Sequence, residues 1–149
     1  MEDLLGGVRI LYQQGPCLII NKPGGLLTQA PPHIDSVAMR LKKFIRRRDE
    51  KPGRVYLAVP HRLDRPVTGV MVFALHQRAA KRISNQFEQR LVEKEYWACV
   101  EGEVDQDQGT FIDVMRKVPG EARSEICHNS VEQAKQAILH YRVLKRMPG

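Results

Sequence analysis

The sequence predicts an α+β protein: a mixed, mostly antiparallel sheet with flanking helices. Short apolar runs bounded by Gly/Pro turns read as strands, and only two longer segments carry a helical period. Strands therefore outnumber helices too heavily for regular strand–helix–strand alternation, and two turn signals each join two strand-like runs directly.

Leu11-Tyr12 and Cys17-Leu18-Ile19-Ile20 read as short strands separated by a Gly15-Pro16 turn. Asn21-Lys22-Pro23-Gly24-Gly25 is a turn by residue type, followed by Leu26-Leu27-Thr28 and a loop through Pro31-Pro32. Asp35 and Ser36 are both good N-cap residues. After them Val37, Ala38, Leu41, Phe44 and Ile45 fall on one helical face, while Arg40, Lys42, Lys43, Arg46, Arg47 and Arg48 occupy much of the rest. That basic face reads as a solvated surface slightly ahead of a dedicated RNA contact. Tyr56 to Val59 is a strand candidate, and the apolar run Val70 to Leu75 predicts a strand buried on both faces.

His76 to Leu91 predicts an amphipathic helix, with Ala79, Ala80, Ile83, Phe87 and Leu91 on one side. Glu95 to Val100 is the next expected strand, closed by Glu101-Gly102. Phe111 to Met115 and Ile126 to His128 are expected to pair as a hairpin across Pro119-Gly120, and Ala137 to Leu144 supplies a last strand.

The 149 residues are 42% hydrophobic and 28% charged, which predicts one domain, residues 1–149, with a real core. No apolar run approaches a membrane span, and Met1-Glu2-Asp3 lacks the layout of a secretory signal, so a cytoplasmic protein is expected. Cys17, Cys99 and Cys127 fit neither a disulfide framework nor a zinc site, and the five histidines are scattered, so no metal is expected. The formal net charge of +7 favours a polyanionic partner without proving one.

The most informative run is His61-Arg62-Leu63-Asp64-Arg65-Pro66-Val67-Thr68-Gly69. It sets a carboxylate, Asp64, among Arg62, Arg65 and His61 at the seam between two apolar segments. Nearby positive charge favours the ionised form of a carboxylate, which can act as nucleophile or base while the arginines engage phosphate. On charge pattern alone, solvated surface ion pairs would be the commoner explanation.

Three ordered blocks resemble the RluA-type pseudouridine synthases. Cys17-Leu18-Ile19-Ile20-Asn21-Lys22-Pro23-Gly24-Gly25-Leu26 is similar to the first motif, and the His61 to Ala74 block to the second. Lys94-Glu95-Tyr96-Trp97-Ala98-Cys99-Val100-Glu101-Gly102 is similar to the strand bearing the active-site tyrosine. The resemblance implies a pseudouridine synthase catalytic-domain fold. It also implies an isomerase that converts uridine to pseudouridine in rRNA or tRNA, with no cofactor and no metal. Asp64 would be the catalytic carboxylate, Tyr96 would stack on the target uracil and Arg62 would enter the RNA stack as the nucleotide leaves. Arg65 is expected to contact RNA, and His61 to hold the loop in place. Extruding a stacked nucleotide costs about a few kcal/mol, and an aromatic platform can recover roughly 1–3 kcal/mol per base. Taken alone, Tyr96 would read as a half-buried strand residue, and Trp97, on the opposite face, as core.

The family's third motif, a downstream strand with a basic residue, has no counterpart before Gly149, so a C-terminally truncated domain is expected. No S4-type RNA-binding domain is recognised before residue 10. The partner expected is RNA, without a membrane, and a monomer is favoured. The alternative is a non-catalytic RNA-binding remnant of the same fold. A hydrolase using Asp64 as nucleophile is disfavoured, since no partner acid or metal cluster accompanies it.

Overall fold

Period-two alternation builds the first sheet. In the computed structural model, which describes residues 5–50, 52–121 and 123–147, β1 (Arg9–Gln14) and β2 (Cys17–Lys22) form an antiparallel hairpin around Gly15-Pro16. β2 then pairs antiparallel with β3 (Gly69–Ala74), so the order is β1-β2-β3. The pairs Leu18↔Phe73 and Ile20↔Met71 place four large side chains on one face. Val37, Leu41 and Ile45 of α1 (Val37–Arg48) join them in a single buried cluster with Leu26, Val55 and Leu63.

Ser36, with extended backbone, caps α1 by accepting from the Met39 N–H at 3.3 Å. The adjacent acid, Asp35, is held by the Arg40 guanidinium instead, and that hydrogen-bonded cation lowers its pKa. The next helix, α2 (Gln77–Glu88), starts from His76, whose Nδ1 accepts from the Ala79 N–H at 3.1 Å. It buries Ala79 fully and Ala80, Ile83 and Phe87 in part, while Leu91 lies past its end and is exposed.

The chain divides into two compact units, Met1–Glu95 and Tyr96–Gly149. The second unit carries its own antiparallel sheet, in which β4 (Gln108–Lys117) lies between β5 (Ser124–Ile126) and β6 (Lys135–Arg142). The expected hairpin forms, with Met115 opposite Ile126, and it continues to Lys117 opposite Ser124. Phe111 stacks on Tyr141 at 4.9 Å between ring centroids, a diagonal pair on one face of β4 and β6.

Three expectations are corrected. The β3 run is not buried along the whole of both faces: Met71 and Phe73 are inside, whereas on the opposite face Ala74 is buried, Val72 is half-buried and Val70 is 63% exposed. The apolar content of Val70–Leu75 was equally compatible with two covered faces. Tyr56–Val59 is reduced to a single bridge, Ala58 to Ala74. Glu95–Val100 forms no strand, and Trp97, expected in the core, is 82% exposed. Strand propensity is a matter of fit to a pleated, half-buried surface, not an intrinsic preference of the backbone.

Candidate functional site

Two turns distant in sequence are joined at the end of the first sheet. The alternation that buries Leu18 and Ile20 in β2 also places Lys22 on the core face. Lys22 is completely buried, and its ammonium donates to the carbonyls of Pro23 (2.9 Å), Arg65 (3.1 Å) and Val67 (2.8 Å). Burial lowers its pKa, and the negative charge of Asp64 pulls the other way. Lys22 thus holds the main chain on the C-terminal side of Asp64 and lies within reach of its charge.

The Lys22–Gly25 turn closes on the same loop. Gly25 N–H donates to Arg65 O at 2.8 Å, and Arg65 Nε donates back to Gly25 O at 2.9 Å. A Cβ on Gly24 would sit 3.1 Å from Pro66 O, so glycine lets the two backbones approach here. Gly25, with φ of +80°, turns the chain in a conformation that favours glycine.

On the other side of Asp64, Leu63 is buried and the Thr28 hydroxyl takes both its backbone groups. Thr28 Oγ1 donates to Leu63 O at 2.7 Å and accepts from Leu63 N–H at 3.3 Å. Val67 N–H donates to Asp64 O at 3.1 Å and closes the loop into a turn.

His61 secures the entry to this loop. Its Nε2 accepts from Val72 N–H at 3.1 Å, so the neutral ring carries its proton on Nδ1. The ring stacks on Phe87 of α2 with centroids 4.7 Å apart. Burial, reinforced by the positive charge of Lys94, lowers the His61 pKa and favours that neutral form.

His61, Arg62, Asp64 and Arg65 thus share one loop of the first unit, while Tyr96, 60% exposed, opens the second. The side chains of Arg62 and Asp64 are exposed. Among the described residues no ion pair joins Asp64 to Arg62 or Arg65. The carboxylate is therefore not pinned by guanidinium groups, as the charge pattern had suggested. Its position comes from backbone held by Lys22 and Thr28, and Arg65 is directed to Gly25. Neither Lys22 nor Thr28 was a candidate on sequence. The signal for Lys22 was present nonetheless, as a lysine at the third core-facing position of an alternating strand.

This interlock occurs between the segments that carry the first two motifs. The RNA pseudouridylate synthase family model matches residues 16–148. The chain belongs to the RNA pseudouridylate synthase family. It is 33% identical over 141 residues to the dual-specificity RNA pseudouridine synthase RluA of Vibrio vulnificus, covering 92% of this chain and 52% of that protein. It is also 33% identical over 141 residues to tRNA pseudouridine synthase C of Haemophilus influenzae, covering 93% of this chain and 55% of the relative. The chain therefore spans about half the length of these curated relatives. Among solved structures, it resembles human RNA pseudouridylate synthase domain containing 4 with a TM-score of 0.74 and 25% identity, over 93% of this chain and 54% of that one. Among the described residues no helix is long and apolar enough to cross a membrane, and the three cysteines are free.

Proposed function

We propose that this chain is part of the catalytic domain of an RNA pseudouridine synthase, a cytoplasmic isomerase acting on uridine in rRNA or tRNA. Asp64 is the catalytic carboxylate in this reading. The N-glycosidic bond between ribose C1′ and uracil N1 breaks, and a bond from C1′ to C5 forms. N1 gains a proton and C5 loses one, so the reaction balances without a cofactor.

The observation that carries the reading is the backbone suspension of Asp64: the loop is gripped by the buried Lys22 ammonium and the buried Thr28 hydroxyl, leaving the carboxylate exposed. A surface aspartate with no task requires no such support, whereas a reacting group must be held by elements that are themselves locked. Exposed Arg62 and the net charge of +7 suit a phosphate backbone, and Tyr96 offers an aromatic face for an everted base. Arg65, tied to Gly25 through Nε, keeps its terminal nitrogens for RNA, and His61 is a loop-positioning residue.

Incubation with RNA tritiated at uridine C5 tests the reading, using the full-length gene product. The expected result is release of tritium to water, together with pseudouridine in the RNA. Salt-sensitive RNA binding without tritium release would instead establish the non-catalytic, RNA-binding reading.

A further inference from the structure

We propose that Thr28 is a positioning residue for Asp64, acting through the backbone of Leu63; this rests on the reading of Asp64 as the reacting carboxylate. The peptide joining Leu63 to Asp64 is planar, so fixing the Leu63 carbonyl fixes the plane from which the Asp64 Cα departs. Thr28 Oγ1 makes that contact at 2.7 Å and accepts from the Leu63 N–H at 3.3 Å. A single atom that donates and accepts at once must be a hydroxyl, and a β-branched residue holds it in few rotamers. The following peptide is fixed independently, by Val67 N–H donating to Asp64 O. Both planes flanking Asp64 are thereby set, leaving its own side-chain torsions as the main freedom.

Thr28 is anchored in turn. Its carbonyl accepts from Ala38 N–H at 3.1 Å and that of Leu27 accepts from Val37 N–H at 2.9 Å, so residues 27 and 28 satisfy two of the otherwise orphaned amides opening α1. Met71 Sδ lies 3.8 Å from the hydroxyl, and Thr28 is buried. The route runs from α1 through Thr28 and Leu63 to Asp64, and every step except the last side chain is buried or hydrogen-bonded.

The test compares Thr28→Val, which keeps the shape and loses the hydroxyl, with Thr28→Ser, which keeps the hydroxyl, in the full-length protein. Single-turnover tritium release from C5-tritiated RNA is measured alongside RNA affinity and hydrogen exchange of the Leu63 amide. Thr28→Val should slow release by about 10- to 100-fold, since small misplacements of reacting groups have effects of that size. Its RNA affinity should stay within about threefold of the parent, and Thr28→Ser should stay within about threefold in rate. A folded Thr28→Val protein reacting at the parental rate overturns the proposal. If Thr28→Val does not fold, Thr28→Ala, which also lacks any side-chain donor or acceptor, replaces it with the same expected and overturning results. A parent protein that releases no tritium refutes the reading of the reaction instead. The clamp is then judged on Leu63 exchange, which Thr28→Val should accelerate at least about tenfold; unchanged exchange overturns it.

Discussion

His61 and Phe87 stack with their rings 20° from parallel and 4.7 Å apart, so the loop carrying Asp64 is fastened to α2 by an imidazole that also accepts from Val72 N–H. Burial, with Lys94 adding to it, lowers the His61 pKa from its ordinary 6.5, so the unfolded chain binds this proton more readily than the folded one. The stabilisation is therefore complete above the ordinary pKa and is lost as pH falls through the lowered folded value. Tm should decline between about pH 7 and pH 5, and His61→Gln should flatten that dependence. An identical pH profile in the variant would show that His61 does not carry it.

Asp64→Asn preserves shape and removes the carboxylate. Tritium release should drop by at least roughly 1,000-fold, within the range attributed to a positioned acid or base. RNA affinity, from filter binding, should change by less than about threefold. Loss of binding comparable to the loss of rate would make Asp64 a structural residue.

Lys22→Met keeps the apolar stem and removes the donor from three carbonyls. Relief of a buried charge offsets part of the loss, but the Pro23 and Val67 carbonyls lose their ammonium partner. A destabilisation of about 1–3 kcal/mol is expected, read as a Tm lower by roughly 3–10 °C. A shift under about 1 °C in thermal denaturation would contradict the role given to the ammonium.

Tyr96→Ala should weaken binding of uridine-containing RNA by about 1–3 kcal/mol if the ring carries a stacked base, whereas Tyr96→Phe should keep most of the affinity. Equal affinity of all three proteins in a titration would remove Tyr96 from the RNA interface.

Much of the fold was legible because its signals are local. The Gly15-Pro16 hairpin, the Ser36 cap of α1, the period of α2 and the β4–β5 hairpin all arise from neighbours within a few residues. The Asp64 loop was visible for the same reason: its identity lies in nine consecutive residues. Glu95–Val100 and Trp97 were misread because strand propensity and hydrophobicity state what a segment could bury, not whether a partner meets it.

The amino-acid order alone determined the α+β class, the helices, most strands and the position of the candidate carboxylate, since each depends on periodicity, capping or turn chemistry within a short window. Only the tertiary structure decided that Lys22 turns inward onto Arg65 and Val67, that Thr28 grips Leu63, and that Arg65 binds Gly25 rather than Asp64. Those hydrogen bonds span 35 to 45 residues, and no local pattern encodes them. They exist because pairing β2 with β3 and packing α1 beneath them bring buried polar atoms together, where each must find a partner.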